Sequence, residues 1–204
     1  MTSNQDITTE QKILAAAEEI FHEKGYDGAR MQEIADRATI NKGLLHYYFK
    51  SKDALFDTIF SMALRRMVGN LNSILLLEIP LEEKIDLMID GYMNMLMRNS
   101  SLPSFVMNEL NKDPDKFIAK HVGGDFRNVF ESFIDSVNKE IASGKIRPID
   151  PRQLFMNIQS MVLFPFIGRP MIQVIIGLEN KDYYSLMNER RELIKSFIRQ
   201  ALKP

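Results

Sequence analysis

The segment Asn41 to Lys52, NKGLLHYYFKSK, sets Lys42, Lys50 and Lys52 among His46, Tyr47, Tyr48 and Phe49, with no acidic residue in the run. Ammonium groups supply charge, and imidazole and phenol groups donate hydrogen bonds. Together they suit the oxygens of a phosphodiester backbone. A helix facing solvent ordinarily mixes acids with its lysines and does not show two tyrosines and a histidine side by side. Gly43, a poor helix former, fits a backbone that must come close to something. The structural alternative is a short amphipathic helix whose tyrosines pack on a neighbouring domain.

The elements around this segment can be read from periodicity. Thr8 and Gln11 form a capping-box pair, and Ile13, Ala17, Ile20 and Phe21 recur at helical spacing until Gly25 stops the run. RMQEIADRA places Met31, Ile34, Ala35 and Ala38 on one face of a second, short helix. Asn41 caps a third over Lys42 to Tyr48, and Ser51 caps a fourth that runs towards Leu77. Helix, helix, three-residue turn, helix is the order of a helix-turn-helix unit. In the third helix Leu45 and Phe49 share a face, predicted to bury against Ile34, Ala35 and Phe21, which leaves Lys42, Leu44, His46, Tyr47 and Tyr48 pointing elsewhere.

Beyond residue 80 the apolar period stays helical. Pro80, Pro103, Asp113-Pro114, Gly123-Gly124, Gly144 with Pro148, Asp150-Pro151, Pro165 with Pro170, and Asn180 divide the chain into five or so further helices. The expected fold is all-α: a helix-turn-helix domain over residues 1–52, then a larger helical domain over 53–204 for effector binding and dimerisation.

Composition narrows the function classes. The net charge is -1, so a nucleic-acid surface must be a local patch. Cysteine is absent, which removes disulfides and thiolate chemistry and fits a reducing cytoplasm. No signal peptide is visible, and Leu154 to Leu178 is interrupted by Pro165, Arg169 and Pro170, poor material for a membrane span. An enzyme is disfavoured: there are three histidines, no GxSxG and no phosphate-cradling glycine loop, and no metal or cofactor is expected. A helical protein-interaction module is the other rival. Salt distinguishes it, because binding through phosphates weakens steeply as salt rises.

ILAAAEEIFHEKGYDGARMQEIADRATINKGLLHYYFKSKDALFDTIF closely resembles the amino-terminal domain of the TetR family of bacterial transcriptional regulators. The likeness runs from about Thr9 to Phe60 and includes Gly25-Tyr26, Ile34-Ala35, Lys42-Gly43, Leu45, Tyr48-Phe49 and Lys52. It implies that Lys42, Tyr47, Tyr48 and Lys52 contact phosphates or sugars, and that Arg30 and Met31 lie at the DNA backbone. Asn41, Leu44 and His46 are then candidates for base edges or adjacent backbone, with Gly43 allowing close approach. Three positions depart from the family pattern. Thr39 stands where glycine is frequent, Leu44 where a small polar residue is usual, and His46-Tyr47 reverses the common order.

A recognition helix this short needs two copies on one operator, roughly one helical turn apart, so a homodimer is expected. Leu154, Phe155, Ile158, Met161 and Val162, with Leu186, Leu193, Ile194, Phe197 and Ile198, are the candidate four-helix seam, and Arg190 and Arg191 its rim. The alternative is burial within one protomer. Met88, Met95, Phe105, Phe117, Phe130 and Met161 could wall a pocket for a small hydrophobic effector, with Tyr92, Asn108 and His121 as polar contacts; otherwise they are core. The resemblance implies a repressor released by its ligand. A constitutive member without ligand is the alternative.

Overall fold

The computed structural model describes residues 8–99 and 102–204. No strand occurs among them. The helices are α1 (Thr9–Gly28), α2 (Met31–Arg37), α3 (Lys42–Tyr48), α4 (Lys52–Leu75), α5 (Leu81–Arg98), α6 (Leu102–Lys112), α7 (Pro114–His121), α8 (Gly124–Ala142), α9 (Pro151–Ile167), α10 (Arg169–Ile176) and α11 (Asn180–Leu202). More helices follow Pro80 than the five or so expected. Single residues, Asp113 and Gly168, suffice to separate α6 from α7 and α9 from α10. Pro165, read as punctuation, lies inside α9, and the break comes at Gly168, where the chain turns by 77°. No single helix among the described residues is long and apolar enough to cross a membrane.

The chain divides into two compact units, one comprising Met1–Ala63 with Arg98–Leu102, the other Leu64–Met97 with Pro103–Pro204. The division falls inside α4, beyond the 52/53 boundary expected from sequence. The reason is that Leu55, Phe56, Ile59 and Phe60 are buried, and the Phe56 ring meets Phe21 at 4.8 Å and Tyr26 at 5.0 Å between centroids. In the first unit the Thr8 capping box forms in both directions. Ile13, Ala17, Ile34, Ala35, Leu45 and Leu55 are fully buried. Arg37 joins α2 to α1 by bonding Glu23 at 3.1 Å and Glu19 at 2.7 Å, which raises the guanidinium pKa above its ordinary value. Lys24 pairs with Glu33 at 2.9 Å.

The second unit has one large core joining Ile85, Ile89 and Met93 of α5, Phe133 and Val137 of α8, Leu154, Ile158 and Val162 of α9, and Met187, Ile194 and Ile198 of α11. This corrects the expected seam. Leu154, Ile158, Val162 and Ile194 are at most 5 % exposed inside their own protomer, so they are not available to a partner. Phe155, Met161 and Leu186 pack against the same core, while Leu193 and Phe197, each 66 % exposed, are not covered. Helix α9 is apolar on nearly every side, so its periodicity does not distinguish the face turned inward.

Arg190 also does something other than expected. Proline has no N–H, so Pro165 leaves the Met161 carbonyl without its helical partner. The Arg190 guanidinium donates to that oxygen through Nε at 3.1 Å and Nη2 at 3.0 Å, which commits it within its own protomer. Arg190→Met is expected to cost about 1–2 kcal/mol at fixed protein concentration in urea denaturation. In a Pro165→Ala background, where residue 165 regains an N–H, the cost should largely disappear. Equal costs in both backgrounds would disprove this pairing.

Charge also ties α11 to α5. Lys195 bonds Asp90 at 2.7 Å, Arg191 bonds Asn94 at 2.7 Å, and Arg199 bonds Asp86. Burial alone would lower the Lys195 pKa, yet the Asp90 and Glu192 carboxylates outweigh it and hold the ammonium above its ordinary value.

The candidate pocket residues take mixed positions. Met88, Phe105 and Phe117 are buried, and Tyr92, Met95 and Met161 pack against the core. Burial pushes the Tyr92 phenol up to about 12. Phe130 meets the Phe155 ring at 5.1 Å, His121 lies 4.8 Å from the Phe117 ring, and Asn108 is exposed. A groove of about 590 Å³ is lined by other residues, Pro170, Gln173, Val174, Leu178, Glu179, Asn180 and Lys181.

Candidate nucleic-acid interface

Helix α3 is held from one side only. Leu45 is 0 % and Phe49 6 % exposed, alongside buried Ile34, Ala35 and Phe21, as the four-residue spacing implied. The other side carries Lys42, Leu44, His46, Tyr47 and Tyr48, all exposed, with Tyr47 at 73 %. The Tyr47 and Tyr48 rings stand edge to face at 5.6 Å. Lys50, part of the basic run but given no contact from sequence, places its ammonium 5.8 Å from the Tyr47 ring centroid. Its three-residue spacing from Tyr47 across the end of α3 was the available signal. At the start of α2, Arg30 is exposed and Met31 half-buried.

Asn41 and Gly43 act together. The Asn41 Oδ1 accepts from the Leu44 N–H at 2.8 Å and caps α3. A Cβ at Gly43 would lie 3.2 Å from that oxygen, so the glycine has a reason inside the chain, apart from any approach to DNA. Capping takes one lone pair of the Asn41 oxygen and leaves the other, with the two amide donors, for a base edge.

Lys52 is the clear departure among the candidates. Its Nζ donates to the carbonyls of Tyr26 at 2.8 Å and Ala29 at 3.3 Å, and lies 4.4 Å from the Tyr26 ring centroid. The Tyr26 hydroxyl in turn donates to Asp53. Lys52 therefore fastens the start of α4 to the turn between α1 and α2, and its charge is engaged there rather than held out for a phosphate.

The turn itself contains strain. Thr39 has φ 57°, and the Thr39 N–H bonds Asp36 O at 3.1 Å while Ile40 N–H bonds Ala35 O at 3.0 Å. That pair of bonds closes α2 as a Schellman motif, which asks for glycine at the left-handed position. A β-branched residue there costs about 1–2 kcal/mol, partly offset by the greater freedom of glycine in the unfolded chain. Thr39→Gly is accordingly expected to raise the stability by about 1 kcal/mol in urea denaturation, and a loss of stability would contradict the strain.

The family of bacterial regulatory proteins of the tetR type matches residues 13–59. The HTH-type transcriptional regulator RutR of Escherichia coli O157:H7 is 26% identical over 197 residues, covering 94% of this chain and 89% of its own. Among solved structures, a regulator of the TetR/AcrR family from Thermobifida fusca superposes with TM-score 0.65 at 17% identity, covering 91% of this chain and 96% of its own. The regulator FadR of Bacillus subtilis, in complex with stearoyl-CoA, superposes with TM-score 0.59 at 20% identity, covering 91% and 97%. The matched residues are those that build and support the exposed α3 face, so residues 13–59 form a DNA-binding domain of the tetR type, and the chain as a whole is similar in sequence and fold to TetR-family bacterial transcriptional regulators.

Proposed function

We propose that the protein is a homodimeric repressor that holds a palindromic operator through two copies of α3 and leaves it when a small, largely hydrophobic effector binds the second unit. The observation that carries the DNA-binding face is the exposed acid-free surface of Lys42, His46, Tyr47 and Tyr48 on a helix anchored by Leu45 and Phe49. Arg30 and Met31 add a second point at the backbone, and Lys52 keeps α4 in register with the α1–α2 turn. Leu44, His46 and the Asn41 amide are the groups placed to read base edges, Leu44 by apolar contact with a thymine methyl.

The effector reading draws support from the methionines and aromatics of the second unit and from the FadR relative bound to stearoyl-CoA. Helix α4 crosses the division between the units at Ala63–Leu64, one of the covalent paths between them, the others lying at Met97–Arg98 and Leu102–Pro103. The effector must bind better to the conformation that does not fit the operator, and operator must then weaken effector binding by the same factor.

The test is to incubate the protein with fragmented DNA from its own genome and sequence what is retained at moderate salt. Enrichment of one palindromic site supports the reading. Retention without sequence preference, or none, contradicts it. Stearoyl-CoA added to the enriched complex should release the DNA if the effector is a long acyl chain, and no release would exclude that class.

A further inference from the structure

We propose that α10 is an arm of the dimer interface, its apolar face covered by a second copy of this chain. The inference rests on the dimer reading above and adds a surface to it. From Pro170 to Gly177 the sequence PMIQVIIG contains no charged residue. Four of its side chains are open in the protomer: Met171 at 52 %, Val174 at 83 %, Ile175 at 71 % and Ile176 at 55 %. None of the residues of α10 is buried. A helix whose one charged residue, Arg169, is engaged by Gln173, Asn180 and Tyr183 and whose apolar side chains stay uncovered is what an interface leaves exposed when one partner is removed.

Three features commit the occupant to a second copy. The surface is continuous along the chain with other uncovered apolar side chains: α9 exposes Met156, Phe164 and Ile167 at helical spacing, and its last residues lead through Gly168 into α10. Helix α11, packed beside α9, exposes Leu193 and Phe197. A two-fold interface is self-complementary, so an apolar stripe on one protomer meets the same kind of stripe on the other. Stable dimers bury about 800 Å² per partner, and the open side chains of α10 add to the apolar surface that α9 and α11 present. With Arg169 engaged at its start, the open stretch from Pro170 to Gly177 has no charge to attract a polyanion.

The arm is also held in place. Arg169 donates to Gln173 Oε1 at 3.3 Å and to Asn180 Oδ1 at 3.1 Å, and its guanidinium carbon lies 4.1 Å from the Tyr183 ring centroid. Gly177, with φ 66° and ψ 34°, ends the helix as a left-handed cap. Arg169 at the start of α10, and Gln173 Nε2 donating to Asn180 Oδ1 at 2.9 Å, fasten the helix to the start of α11 while leaving the apolar side chains uncovered.

The chain has no cysteine, so single cysteines report cleanly. Val174→Cys and Leu76→Cys replace side chains of nearly equal exposure in the protomer, 83 % and 81 %. In full-length protein that sediments as a dimer, maleimide should modify Val174→Cys about tenfold more slowly than Leu76→Cys. Adding Leu193→Glu with Phe197→Glu, to separate the protomers, should bring the two rates together. Ile175→Glu, also exposed in the protomer, should raise the dimer dissociation constant by about tenfold or more.

Equal rates in a sedimenting dimer, with an unchanged dissociation constant for Ile175→Glu, overturn the arm and leave the dimer standing. A larger assembly that Ile175→Glu abolishes, while the dimer constant is unchanged, also overturns it. A wild-type chain that sediments as a monomer at every concentration overturns the dimer reading itself.

Discussion

The Lys42→Ala, Tyr47→Ala double variant is expected to bind operator DNA about 100-fold more weakly than the native chain, with an unchanged unfolding midpoint. Both side chains are exposed and neither supports the core, so the folded state loses nothing that holds it together. On a two-fold operator each residue acts twice. Four lost backbone contacts at about 0.7 kcal/mol apiece amount to about two decades in affinity. The loss should have a salt signature: removing two lysines per dimer flattens the log-log salt slope by about 1.8. Fluorescence anisotropy over a salt series measures both quantities. Unchanged affinity and slope would place the DNA contact elsewhere.

Lys52→Met provides the contrast. Its ammonium is bonded to the Tyr26 and Ala29 carbonyls, so this variant should lose stability while the salt slope stays near that of the native chain. A slope that flattened as for Lys42 would return Lys52 to the phosphate contacts.

Gly25→Ala is expected to destabilise the amino-terminal unit by about 3 kcal/mol. Gly25 has φ 70° and ψ 177° inside the span of α1, a conformation essentially confined to glycine. A Cβ there would meet nothing within 4 Å, so the cost is in the backbone and repacking does not relieve it. The turn it makes delivers Tyr26 against Phe21 and Phe56 and presents the carbonyls that hold Lys52. Operator binding should fall together with stability. Gly69→Ala is the control: it lies in α4 with open space around it and should be neutral or stabilising by up to about 1 kcal/mol. Urea titrations followed by tyrosine fluorescence compare the two, the chain having no tryptophan. Equal stability of both variants would sink the backbone account.

The sequence by itself determined the amino-terminal helices and the side of α3 that faces outward. The signals there are local: a capping box at Thr8, a glycine at residue 25, an Asn41 cap, and Leu45 with Phe49 four residues apart. Each acts over one or two turns, so neighbouring residues are enough to read it. Thr39 in a turn that prefers glycine was visible as a departure; only the backbone decided that the turn is left-handed there, with Thr39 at φ 57°.

The tertiary structure decided what the later helices do with an excess of apolar residues. Where α9 offers a hydrophobic side chain on nearly every side, periodicity cannot say which face turns inward. The chain packs Leu154, Ile158 and Val162 against α5, α8 and α11 and leaves Met156 and Phe164 outside. The same holds for long-range polar contacts. Arg190 reaches the carbonyl that Pro165 leaves without a partner, and Lys52 reaches back to the α1–α2 turn, because folding brings distant residues together and buried or half-buried polar groups must find partners. No spacing in the sequence records those pairings.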